Sequence, residues 1–334
     1  MTTFAAGVDT PAGILRLGKS FCEAKVLLTA VELDLFSVLH DSPATPDTLR
    51  GRLGLHGRGL ADVLALLTEI GLLEHDNGAY RNSETAERHL VRGGRSYLGD
   101  FLLRFNRNLY PAYGNLTDAL RTGAKQRPGD FTVMLGDPDR LRKFVLLMDS
   151  LTSDLGPALV EAFDWGHHQA VLDVGGCRGN LLSHILSEHP DLTGGVFDLP
   201  PMRPLFEELM AERGLADRST FHAGDFFEQE LPSADVIMLG HVLHDWDERE
   251  REAIVGKAFR ALEPGGALLV YDRMLEAGPS LAENLVISLD MMMVTDGGSE
   301  YPAEEIHRYA RAAGATSTQR RLGEHDTLVI CRTV

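Results

Sequence analysis

Apolar positions Leu17, Phe21, Val26, Leu27, Ala30, Val31, Leu35 and Val38 recur at helical spacing over residues 14–39, with Gly18 as the one weak point. Ser42-Pro43-Ala44-Thr45-Pro46-Asp47 interrupts that pattern, and Thr45 before Pro46 supplies an N-cap and a first-turn proline for a short helix over 47–53. A further helix is expected over 58–70. Residues 71–75 and 79–82 flank Asp76-Asn77-Gly78, a tight-turn signal that predicts a hairpin. Helix, turn, helix and hairpin make a winged-helix pattern. Residues 98–120, rich in aromatics (Phe101, Phe105, Tyr110, Tyr113), and 137–163 read as two more helices joined by a loop at 121–129.

Past Trp165 the pattern changes to short apolar runs at 170–174, 194–197, 220–222, 236–239 and 267–271. Amphipathic stretches at 181–187, 205–213 and 249–262 separate them. That alternation predicts a parallel sheet covered by helices, a doubly wound α/β domain whose ligands sit at the carboxyl ends of its strands. The expected division is a mainly helical N-terminal domain over 1–97, a helical connector over 98–165 and the α/β domain over 166–334.

Composition narrows the partners. The chain has 334 residues, and 49 acidic against 32 basic side chains give a formal charge of −17, which repels nucleic acid and anionic lipid. Over 45–83, the stretch a winged-helix DNA reader would use, four arginines stand against five acids, which favours a packing or dimerising module. Three widely separated cysteines, Cys22, Cys177 and Cys331, build neither a disulfide framework nor a zinc site. No leader-like start and no run of 18 apolar residues is found, so a cytoplasmic protein working on a small molecule is expected.

Four strand ends carry candidate chemistry. The first runs into Asp173-Val174-Gly175-Gly176-Cys177-Arg178-Gly179, a glycine-rich turn of the kind that lets backbone approach a nucleotide closely. It lacks the G-x-G-x-x-G spacing of dinucleotide sites and the Lys-Ser/Thr of a P-loop. It fits an acidic-x-Gly-x-Gly-x-Gly turn with Cys177 at the middle glycine, although a plain strand-to-helix turn reads the same way. Asp198, in Phe197-Asp198-Leu199-Pro200, offers two oxygens to two cis ribose hydroxyls, or serves as a helix cap. Gly224-Asp225-Phe226-Phe227 offers a carboxylate for an adenine amino group beside an aromatic face. The fourth end is Leu243-His244-Asp245-Trp246-Asp247. His244 there suits a general base, with Asp272 and Glu300 placed to stabilise its imidazolium; a helix-start histidine is the plainer alternative. His241 is a lesser candidate for a substrate contact.

These motifs resemble the plant and bacterial small-molecule O-methyltransferase family, which includes caffeate and isoflavone methyltransferases and bacterial natural-product tailoring enzymes. The resemblance spans essentially the whole chain. Its most specific pieces are His244-Asp245-Trp246-Asp247, Glu263-Pro264-Gly265-Gly266, and 290–300 read as Asp-x-x-Met…Gly-Gly-x-Glu. It implies a class I methyltransferase, Rossmann-like doubly wound sheet with an N-terminal winged-helix-like dimerisation domain, and S-adenosyl-L-methionine as cofactor, S-adenosyl-L-homocysteine as product and no metal. His244 is then the proton acceptor, bracketed by Asp272 and Glu300. Asp173, Gly175, Asp198, Leu199, Asp225 and Phe226 meet the cofactor. Met148, Met291 and Thr295 meet a small aromatic substrate, although Met292 and Met293 make ordinary helix core a competing reading for the methionines. A homodimer forms through the N-terminal domain. Two departures stand out: Cys177 at a family glycine, and Tyr301-Pro302 where the family has Arg-Thr.

Three rivals frame the expectation. The same fold serves C-methylation or a non-methylating use of the cofactor. A metabolite-sensing winged-helix regulator is disfavoured by the charge of 45–83, and a nicotinamide oxidoreductase by the missing G-x-G-x-x-G.

Overall fold

The computed structural model describes residues 8–94, 96–126, 134–152 and 154–333. The chain forms two compact units, Met1–Thr117 and Asp118–Val334, so the segment 98–165 is divided between them. Residues 127–129 of the loop expected at 121–129 lie outside the described residues.

In the first unit, helix Pro11–Glu32 begins at Thr10, whose hydroxyl caps Gly13 N at 3.1 Å. Gly18 does not break it: the helix is continuous through that position. The break comes instead at Asp34, which takes a left-handed φ of 58° before helix Leu35–Asp41. Thr45 caps helix Pro46–Arg52 as its sequence predicts, with Oγ1 accepting from Thr48 N at 3.3 Å. Helix Leu60–Glu69 leads into the hairpin of β1 (Leu73–Asp76) and β2 (Ala79–Asn82). Asn77 and Gly78 turn it with positive φ at both positions, the geometry a two-residue hairpin favours. Leu35, Phe36, Leu49, Leu64 and Leu67 form the core of this unit.

The aromatic stretch is helical but irregular: Gly99–Arg104 passes through a π-helical turn at Phe105–Leu109 into Tyr110–Tyr113. The stretch 137–163 is two helices, Pro138–Leu151 and Leu155–Ala162, not one.

The second unit holds a seven-stranded sheet of β3 (Ala170–Val174), β4 (Thr193–Asp198), β5 (Ser219–Ala223), β6 (Ala234–Gly240), β7 (Leu262–Asp272), β8 (Thr316–Leu322) and β9 (Asp326–Arg332). Its order is β5-β4-β3-β6-β7-β9-β8. β3 to β7 pair in parallel, whereas β9 runs antiparallel between β7 and β8, which makes the sheet mixed. Its central strands are covered on both faces. Val236, Met238, Ala267 and Leu269 belong to one buried cluster, Ile237, Leu239, Leu268 and Val270 to the other. Burial on both sides is why these strands read as unbroken apolar runs. The edge strand β8 is mostly exposed and polar, and no apolar run announces it. Among the described residues no helix is long and apolar enough to cross a membrane.

Arg251 ties two covering helices together. Its guanidinium donates to Glu305 Oε1 at 2.6 Å and Oε2 at 3.3 Å, and to the Trp246 carbonyl at 2.6 Å. Only 5% of Arg251 is exposed, so Arg251→Ala strands a buried carboxylate. Chemical denaturation is expected to register a loss of roughly 3–5 kcal/mol.

Candidate active site

The side chains singled out in the sequence collect where the parallel strands end. After β3 the chain turns through Gly175, Cys177 and Gly179, whose φ values are 74°, 52° and 74°. This alternation of left-handed residues brings the backbone round onto helix Asn180–Glu188. A Cβ on Gly175 would stand 2.5 Å from Val242 Cγ2, and one on Gly176 2.4 Å from Asp173 Oδ2. Cys177 takes a conformation that suits glycine, and its backbone N–H still donates to Asp198 Oδ2 at 2.8 Å. Arg178 braces the same loop through a half-buried ion pair with Asp149 at 2.5 Å.

Asp198 ends β4. Its Oδ1 accepts from Leu199 N at 2.6 Å, so each oxygen holds one backbone donor and keeps lone pairs for a ligand. Burial pushes Asp198 up to about 6 against the pull of those two donors. Asp173 beneath it is pushed up to about 7, by burial first and by the Asp198 charge second. After β5, Asp225 Oδ1 accepts from Phe227 N at 2.8 Å. Phe226, Phe227 and Trp246 meet edge to face, with centroid separations of 4.9, 5.8 and 4.6 Å.

His244 sits in the short turn Leu243–Asp245 after β6, ahead of a helix that Asp247 and Glu250 close with a capping box. The loop bearing Glu300 lies directly on that turn. A Cβ on Gly297 would be 2.8 Å from Asp247 Cβ, and one on Gly298 would be 2.6 Å from the His244 carbonyl oxygen. Two glycines are therefore what admits Glu300. Thr295 fixes the loop, its hydroxyl donating to Met291 O and accepting from Gly298 N, both at 2.8 Å. His244 Nδ1 then meets Glu300 Oε1 at 2.8 Å and lies 3.8 Å from Asp272 Oδ1. Both acids are buried, and among the described residues Glu300 Oε2 and Asp272 Oδ1 have no hydrogen-bond partner. Burial alone would depress His244. The hydrogen bond to Glu300 and the charges of Asp272, Asp245 and Glu300 outweigh it and push His244 up to about 10. Asp272 is pushed up to about 7, chiefly by burial, with His244 pulling the other way.

The structure thus brings His244, Asp272 and Glu300 together, and sets Asp173, Gly175, Asp198, Leu199, Asp225 and Phe226 along the neighbouring strand ends. Met148 and Met291 are partly exposed on helices Pro138–Leu151 and Leu281–Val294, whereas Met293 is fully buried core. Three residues of the cluster escaped sequence reasoning in this role. Tyr301, read only as a departure, donates its hydroxyl to Asp272 Oδ2. Arg251 lies over the Tyr301 ring, 4.8 Å from its centroid. His241 Nε2 stands 2.8 Å from Asp326 Oδ1, and Asp326 opens β9, a strand whose place beside Asp272 no local pattern discloses.

Residues 113–316 match the family described as O-methyltransferase domain, and residues 15–92 the O-methyltransferase dimerisation domain. The tetracenomycin polyketide synthesis 8-O-methyl transferase TcmO of Streptomyces glaucescens is 41% identical, over 97% of each chain. The N,N-dimethyltransferase OxyT of Streptomyces rimosus is 36% identical over 94% of this chain and 93% of its own. The solved structure of PigF with SAH superposes with a TM-score of 0.89 at 26% identity, covering 97% of this chain and 99% of that one.

Gly298→Ala tests the loop geometry. The added Cβ pushes the loop off the His244 turn, and methyl-transfer activity is expected to fall at least tenfold, since a displacement near 1 Å at a reacting centre costs about 10²-fold. Unchanged activity would mean that the glycines do not set the His244–Glu300 contact.

Proposed function

The chain belongs to the S-adenosylmethionine-dependent O-methyltransferases, with both their catalytic and their dimerisation domains, and we propose that it methylates a hydroxyl of a small aromatic natural product with His244 as the proton acceptor. Resemblance to TcmO supports a polyketide- or naphthol-like acceptor. The observation that carries the base assignment is the 2.8 Å contact of His244 Nδ1 with buried Glu300, which leaves Nε2 as the nitrogen to receive a proton.

The residues at the strand ends fit the cofactor. Gly175 and Gly176 pack too closely on Val242 and Asp173 to carry a Cβ, which keeps the turn tight at the strand end, and Asp198 retains lone pairs for two cis ribose hydroxyls. Asp173 supports the loop from below, Leu199 N holds the Asp198 carboxylate in place, and Asp225 with Phe226 offers a polar and an aromatic contact for adenine. When bound, S-adenosylmethionine supplies a methyl group on a positively charged sulfur.

The protein's part is alignment and proton removal. A phenol near pKa 10 and an imidazole in water are mismatched, and the transfer runs uphill. The two carboxylates raise His244 to about 10, which brings donor and acceptor level. Neutral His244 takes the hydroxyl proton on Nε2 as the oxygen gains the methyl group, and Glu300 and Asp272 hold the resulting imidazolium. Met148 and Met291 present soft thioethers to the acceptor ring, with Thr295 at its edge.

The working unit is a homodimer joined through the N-terminal domain. Support comes from helix Pro11–Glu32, where Ile14 (60%), Leu15 (68%), Leu17 (53%) and Phe21 (56%) are exposed on one surface that a second copy would cover.

His244→Ala is expected to keep cofactor affinity within a few-fold by calorimetry while lowering turnover by roughly 10²–10⁴. Full turnover in that variant would remove His244 from the proton transfer.

A further inference from the structure

His241 is a second, half-buried histidine that the proton transfer leaves unused. It holds a left-handed φ of 52° directly after β6, a strain that a non-glycine residue keeps where its surroundings impose it. Its backbone N–H donates to the Tyr271 carbonyl at 3.0 Å. On the ring, Nε2 is 2.8 Å from Asp326 Oδ1 and Nδ1 is 3.9 Å from Asp272 Oδ1. Both nitrogens face carboxylates. The Asp326 contact is close without being aligned as a hydrogen bond, which leaves charge attraction as its main content.

Asp272 Oδ1 therefore lies between two imidazoles, 3.8 Å from His244 Nδ1 and 3.9 Å from His241 Nδ1. The ring centroids are 5.6 Å apart. Antiparallel pairing sets this up: Asp272 ends β7, its register partner is Thr327 of β9, and Asp326 follows at the same edge of the sheet.

We infer that His241 is a positioning residue that acts as a counter-charge of the site: with one ring nitrogen toward Asp326 and the other toward Asp272, it favours the ionised form of Asp272, the carboxylate beside His244. The inference rests on His244 being the proton acceptor. The groups facing His241 are Asp326 from β9, Asp272 and Tyr271 from β7, and His244 from the turn after β6. Glu300, Tyr301 and Asp245 surround these, and Arg273 and His325 flank Asp326. Burial works against a charge on His241, but Asp326 and Asp272 outweigh it and hold the ring above its usual value. Burial likewise raises Asp326, and the His241 charge more than offsets this, holding that acid below its usual value. With both rings charged, Asp272, Asp326 and Glu300 are largely answered. Losing the His241 proton leaves the cluster one unit more negative, and both His244 and Asp272 then bind protons more tightly.

Carboxyl-carbon NMR of the aspartate-labelled full chain from pH 4 to 9.5 tests this, with the Asp272 resonance assigned by its loss in Asp272→Asn. In His241→Gln the Asp272 titration is expected to move upward from about 7 by about one pH unit, tenfold in proton affinity. Asp326→Asn is expected to move it the same way, because it frees the His241 proton, and His241→Lys to return it toward the parent value. An Asp272 titration that stays put in both His241→Gln and Asp326→Asn overturns the inference. His244 remains intact in these variants, so this result and the turnover of His244→Ala fail separately.

Discussion

A carboxylate buried without a partner is among the costliest features a protein can hold, and the site depends on how that cost is met. Asp272 and Glu300 are both buried, and among the described residues each keeps one oxygen without a hydrogen bond. Their charges are answered by His244, 2.8 Å from Glu300 and 3.8 Å from Asp272. Stabilising the acids and strengthening the base are one interaction viewed from its two ends. Binding a proton on His244 relieves the carboxylates, which is what the role proposed for it, taking a proton from a phenol, requires.

The sheet supplies the frame. Parallel strands β3 to β7 end along one edge, so their loops converge there, and the antiparallel insertion of β9 brings its first residue, Asp326, to that same edge. Tyr301, held by Arg251, fixes the far oxygen of Asp272, while Gly297 and Gly298 let the Glu300 loop lie on the His244 turn. The groups proposed for the cofactor and for proton removal thus lie at neighbouring strand ends along the same edge of the sheet.

Much of this was legible in the sequence where a local rule governs. Thr45 before Pro46 forecasts its helix cap, Asn77-Gly78 forecasts the hairpin, and strands covered on both faces announce themselves as apolar runs. His244, Asp272 and Glu300 were also nameable together, because each follows a recognisable element. Long-range placement was not legible. Asp34 breaks the first helix with a left-handed residue that periodicity does not register. β8 is a polar edge strand, and without it the central place of β9, and hence the partnership of His241 with Asp326, has no signal. Tyr301 reads as a departure from family habit until its hydroxyl is seen on Asp272.

The central claim is that buried carboxylates make His244 a strong base. Its most direct test is the pH dependence of kcat/KM for methyl transfer to a naphthol, followed as methylated product. With His244 raised to about 10, the neutral imidazole becomes scarcer at every step below that value. The account predicts a rise of about tenfold per pH unit from pH 6 upward, continuing past pH 8. A profile that levels off below pH 7, where an ordinary histidine has lost its proton, would contradict it.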